Sequence, residues 1–179
     1  MEIFAVDSAS GFSPSRKNRR ARGIISDGEL NILEGSLSKA AQRLGVVRAI
    51  VCHHSLLYGA PVRKAVAYRD ILGSNQLNDT SRERLLQLAL RHQVTAILTG
   101  HVHRTLPLFP HRRTVVTGSP NRLTTEVVSQ TTLQTPASGF NGSWLHRIGW
   151  DVSIHWTAER WEWTGSDFQE AGSPITISP

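Results

Sequence analysis

Val94-Thr95-Ala96-Ile97-Leu98-Thr99-Gly100-His101-Val102-His103 is a short apolar run, a glycine turn and a histidine pair. The run is strand-length, and Gly100 lets the backbone turn where it stops. Val46-Val47-Arg48-Ala49-Ile50-Val51-Cys52 is a second such run, closed by His53-His54. Each is preceded by a segment of helical period, so the order helix, strand, histidines occurs twice. Connections of that kind give parallel strands whose carboxyl ends share one sheet edge, where α/β proteins bind ligands. The histidines should therefore converge on one crevice.

Working outward, Glu2 to Val6 reads as a first strand ending at Asp7-Ser8, and Gly11 to Gly23 as a loop. Ser26-Asp27-Gly28-Glu29 has the spacing of a capping box, in which the Ser26 hydroxyl accepts from the Glu29 amide and the Glu29 carboxylate reaches back. Leu30, Leu33, Leu37, Ala40, Ala41 and Leu44 then form one helical face, with Gly45 placed to stop it. Ser55 to Leu77, broken by Gly59, Pro61 and Gly73, is a long connection suited to a substrate-contacting loop. Asn78, Asp79 or Thr80 caps a second helix, whose stripe is Leu85, Leu86, Ala89 and Leu90 and whose end is near His92.

Beyond residue 110 the pattern changes. Thr114 to Thr117 and Leu123 to Val128 read as strands about a turn at Gly118-Ser119-Pro120-Asn121, followed by a polar loop from Ser129 to Gly142. From Trp144 to Trp156 the even positions are mostly apolar. That period of two predicts an antiparallel hairpin bent near Gly149 to Asp151, with one buried face. Trp161 and Trp163 continue the alternation in a last strand, and the five tryptophans read as core. The tail, 169–179, is expected to be frayed, leaving residues 1–168 as the folded portion.

The 179 residues are one domain's worth of chain, and 39% hydrophobic with 19% charged residues is a globular composition. There is no apolar run of membrane-spanning length and no signal-peptide pattern at Met1, so a cytoplasmic location without membrane contact is expected. One cysteine, Cys52, excludes an internal disulfide and zinc sites built on cysteine pairs. Metal binding would then fall to imidazole and carboxylate.

The net charge is +6, concentrated in part where Arg16, Lys17, Arg19, Arg20 and Arg22 fall within seven positions. Such a run attracts phosphate-rich anions or is simply a solvated face. No aromatic residue is interleaved with it, which argues against single-stranded nucleic acid. His53, His101 and His103 are candidate metal ligands. His54 either faces a substrate, supports its neighbours from behind, or is simply adjacent to His53 with no part in the site. His92, His111, His146 and His155 are assigned to ordinary structural roles.

Val51-Cys52-His53-His54-Ser55 followed by Ile97-Leu98-Thr99-Gly100-His101-Val102-His103 resembles the last two metal-binding motifs of the calcineurin-like metallophosphoesterases. The intervening helix, Ala21-Arg22-Gly23, Gly118-Ser119-Pro120 and Asp7-Ser8 match in place. The likeness is greatest to the bacterial cyclic-nucleotide phosphodiesterase-like branch. It implies an α/β fold, a mixed-sheet sandwich flanked by helices in four layers. It also implies two divalent metal ions of the manganese, iron or zinc class and hydrolysis of a small phosphoester by metal-bound hydroxide. On that resemblance His53 and His101 would hold one ion and His103 the other.

The departure from the family pattern is large. The earlier motifs, Asp-x-His, Gly-Asp-x-x-Asp and Gly-Asn-His followed by an acid, are absent, so the likeness is to a domain whose N-terminal half is missing. Three imidazoles without a bridging carboxylate would not hold two ions a hydroxide apart. An inactive fragment is the expectation, exposing a sheet edge that favours self-association or the missing half. The alternatives are a non-catalytic binding module on the same fold, holding an anionic or protein partner through the basic segment, and a hydrolase using one metal.

Overall fold

The computed structural model of the chain describes residues 1–11, 23–40, 46–56, 77–100, 112–119, 122–128, 142–150 and 154–177. The parallel strands appear as read. β1 (Glu2–Val6), β2 (Arg48–Cys52) and β3 (Ala96–Thr99) run side by side in parallel, with Val6 opposite Cys52 and Cys52 opposite Thr99. β4 (Arg112–Ser119) and β5 (Arg122–Val128) form an antiparallel pair, and β5 joins β3 in parallel. The order is β1-β2-β3-β5-β4, a mixed sheet with β1 at its edge.

Helices α1 (Asp27–Ala40) and α2 (Asp79–Arg91) cover one face of this sheet. Leu30, Leu33 and Leu37 from α1 and Leu85, Leu88 and Ala89 from α2 pack in one buried cluster with Ile50, Cys52 and Ile97 of the strands. The α1 positions are those of its stripe, whereas on α2 Leu85 and Ala89 are buried as read, Leu86 is partly buried, and Leu88 is buried in place of Leu90, which is 40% exposed. Asn78 caps α2, its side chain accepting from the Ser81 amide at 2.7 Å. Exposed ion pairs from Arg84 to Asp27 and from Arg91 to Glu34 link the helices. Pairs this open to water add little stability. Only half of the expected capping box at α1 is present. The Ser26 hydroxyl accepts from the Glu29 amide at 3.2 Å, but the Glu29 carboxylate accepts from the Asp7 amide at 2.9 Å. Glu29 ties the helix to the end of β1 instead of closing its own turn.

The other face carries a second sheet. β6 (Gly142–Trp150) and β7 (Ile154–Trp163) make the expected antiparallel hairpin, with β8 (Phe168–Glu170) and β9 (Ile175–Thr176) both paired to β7. Ala49 and Ala96 are neighbours across β2 and β3, and small residues there leave room that Trp156 fills. Trp156, Ala158 and Ile177 are fully buried in that cluster, with Trp144 and Ile148 partly buried against it.

Two expectations are corrected. The segment after Asp167 is not frayed over its described length, because β8 and β9 pair with β7 and Ile177 joins the core. Trp161 and Trp163 belong to β7 and not to a further strand, and their odd positions put them on the opposite face from Trp156. Trp163 is 42% exposed, in edge contact with Phe168. The described residues form three layers, helices, mixed sheet and antiparallel sheet, as a mixed-sheet sandwich with helices on one face. Of the turn expected at Gly118-Ser119-Pro120-Asn121, Gly118 and Ser119 belong to β4, while Pro120 and Asn121, like the expected end of α1 at Leu44 and Gly45, lie outside the described residues. No helix among the described residues is long and apolar enough to cross a membrane.

Candidate functional site

The register Val6, Cys52, Thr99 brings three strand ends level on the carboxyl edge. Asp7-Ser8 leaves β1 there, His53-His54 leaves β2, and Gly100 leaves β3. The Gly100 amide donates to the carbonyl oxygen of His53 at 3.1 Å, extending the ladder one step beyond the strands. The two histidine-bearing turns therefore start side by side. His53 is exposed at this edge.

His54 points inward and is only 5% exposed. Its Nδ1 lies 2.7 Å from the Ser8 hydroxyl, and its own amide donates to that hydroxyl at 3.2 Å. The Cys52 thiol donates to its carbonyl oxygen at 3.3 Å. Gly23 lies against the ring: a Cβ there would stand 2.5 Å from His54 Cγ, closer than side-chain atoms approach. The rings of His53 and His54 meet edge to face, with centroids 5.0 Å apart and planes at 83°. Burial sets the His54 ring away from solvent, and it contacts Ser8, Gly23 and His53.

Other contacts stitch the chain around this ring. Gly11 donates to Ile24 O at 2.9 Å, Asn78 to Gly23 O at 2.8 Å and Leu77 to Ser55 O at 2.9 Å, and Gly23 bridges Leu77. The Ile25 amide donates to the buried Ser81 hydroxyl at 3.0 Å. The flanks of segment 12–22, which holds Arg16, Lys17, Arg19, Arg20 and Arg22, are thus fastened to the carboxyl edge. The flanks of segment 57–76 meet at the same place.

His101, His103 and the five basic residues themselves lie outside the described residues. Among the described residues no group of three or more histidine, cysteine, aspartate or glutamate side chains is arranged to hold a metal ion. His53 alone of the expected ligands is described, so no reaction step through a metal follows from this geometry. Ser8 and Gly23 are contributors to which pattern reading assigns no contact at the site. A serine after a strand and a glycine after an arginine run carry no periodic signal, and their roles come from chain segments meeting 46 and 31 positions apart.

The histidines assigned structural roles fit them where described. His92 is the C-cap residue of α2, its amide donating to Leu88 O, and its ring is buried. Burial holds its pKa below 6.5, helped by Arg91 and Arg48 and opposed by Glu34. His146 accepts from Trp156 Nε1 at 3.1 Å on the inner face of the second sheet, and burial lowers its pKa as well.

No protein-family model matches the chain, and no curated protein does. Among solved structures the chain is similar to a wild-type Vps29 from Entamoeba histolytica complexed with Zn2+, at 11% identity over 98% of this chain and 99% of that one, with a TM-score of 0.31. The fold given above stands on its own strand order and register.

Proposed function

We propose that this chain is a non-catalytic binding module that holds an anionic partner at the carboxyl edge of its parallel strands. The observation that carries the reading is the fastening of both flanks of the basic segment, Gly11 to Ile24 and Gly23 onto His54, at that edge. The stretch that carries Arg16, Lys17, Arg19, Arg20 and Arg22 is thereby held at both ends to the edge that His53 leaves, and five cations over so short a stretch concentrate anions. The buried imidazole of His54 is engaged by Ser8, which favours a built support for a binding face over a pair of reacting histidines.

The test is anisotropy with fluorescein-labelled inorganic polyphosphate, with and without EDTA. Binding should be indifferent to EDTA and fall on the order of a hundredfold between about 50 and 200 mM salt, as expected when about five cations displace counterions. Replacing the five basic residues by glutamine should abolish it. Salt-insensitive binding, or binding untouched by those replacements, would overturn the reading.

A second reading has its own support. The Gly100 amide on the His53 carbonyl starts both histidine turns together, as a metal-dependent phosphoesterase using His53, His101 and His103 requires. The resemblance to that family points the same way, to a small phosphoester substrate and divalent metal ions. Hydrolysis of bis(p-nitrophenyl) phosphate that needs manganese and disappears in His53→Ala would put this reading first.

A further inference from the structure

We propose that Ser8 and His54 are positioning residues for His53, with the Ser8 hydroxyl holding His54 as the tautomer that carries its proton on Nε2. The hydrogens available in this buried space fix the tautomer. Ser8 is 1% exposed, and its oxygen already accepts from the His54 amide. A serine hydroxyl has one proton to give, and leaving it without an acceptor in the interior is costly. Among the described residues the acceptor within reach is His54 Nδ1 at 2.7 Å. With its lone pair so engaged, Nδ1 cannot carry the proton of the neutral ring, which then resides on Nε2.

The consequence reaches the edge through two contacts. Gly23 closes one side of the His54 ring, since a Cβ there would fall 2.7 Å from both its Cβ and its Nδ1. The ring is thus gripped by a hydroxyl and a backbone. It offers His53 a fixed edge-to-face neighbour at 5.0 Å, while Gly100 holds the His53 carbonyl. His53 is exposed and yet braced from two directions. His54 orders the ligand-facing imidazole without meeting the ligand. That His53 faces a ligand rests on the function proposed above, whereas the tautomer does not.

The experiment is the long-range nitrogen-proton spectrum of the imidazoles in the full chain, with Ser8→Ala and Ser8→Thr beside it. His54 should give the single pattern of the Nε2-protonated ring. Ser8→Ala should turn that pattern into a mixture of tautomers and shift or broaden the His53 ring signals. Ser8→Thr, which keeps the hydroxyl, should restore both. An Nδ1-protonated His54 in the unaltered chain would overturn the proposal, a result that needs no variant to fold. A folded Ser8→Ala with the His54 and His53 signals unmoved would also overturn it. Failure to bind polyphosphate would count against the proposed function and leave the His54 spectrum to be judged alone.

Discussion

Gly23 and His54 are packed so closely that the glycine has no room for a side chain: a Cβ would meet His54 Cγ at 2.5 Å. The ring cannot swing away, because Ser8 holds its Nδ1 and the cavity is closed. Gly23→Ala should therefore cost about 1–3 kcal/mol, the range for overpacking a filled interior. Urea unfolding of Gly23→Ala, His54→Ala and the double variant checks this. The double variant should be more stable than the sum of the single effects implies, because removing the ring frees the space that the methyl needs.

The open side of β1 predicts association. β1 pairs only with β2 among the described residues, and Ile3 on it is 59% exposed. An edge strand can pair its outer amides and carbonyls with another chain, and a charge on it opposes that pairing. Ile3→Lys should raise the monomer fraction in sedimentation at high protein concentration and change folding stability by less than about 0.5 kcal/mol. An unchanged distribution would place any association elsewhere.

How far the sequence can be read depends on whether a feature is local. The parallel core was legible because Val46 to Cys52 and Val94 to Thr99 are apolar runs that follow amphipathic segments, and sheet order adds little to that. The hairpin was legible from the even positions between Trp144 and Trp156. The pairing of Phe168–Glu170 and Ile175–Thr176 with β7 was not, since two short polar segments gain their order only from the strand beside them. At the candidate site the placement of His53 followed from strand direction alone. The inward turn of His54 did not, because adjacent residues leaving a strand are told apart only by what packs on each, here Ser8 and Gly23.

The buried histidines set a pH dependence. Burial lowers the pKa of His146, and burial with Arg91 and Arg48 lowers that of His92, both from 6.5. Near 6.5 and just below it the unfolded chain binds these protons while the folded chain does not, so stability rises with pH through that window. Their contribution is fully present above the unfolded value and is lost as the pH falls through the folded ones. The melting temperature should drop between about pH 7 and 5. In His146→Gln, which removes the proton site but can still accept from Trp156, the drop should be shallower.

His53 and His54 are neighbours in the chain and should respond to alanine in opposite ways. His53 is exposed, so His53→Ala should leave stability within about 0.5 kcal/mol of the unaltered chain. His54→Ala empties a closed space and strands the Ser8 hydroxyl, which together should cost about 2–4 kcal/mol. Polyphosphate binding should behave differently again. In His53→Ala it should weaken only modestly, because the basic segment carries most of the charge and its anchor at Gly23 is intact. In His54→Ala the loss should be larger than that of His53→Ala even where the variant is fully folded, since Gly23 then has no ring to rest on. Urea curves and anisotropy on the same samples separate the two effects. Equal stability of the two variants would mean that His54 does not hold this edge together, and the anchoring of the basic segment would have to be sought in the Gly11 and Leu77 contacts instead.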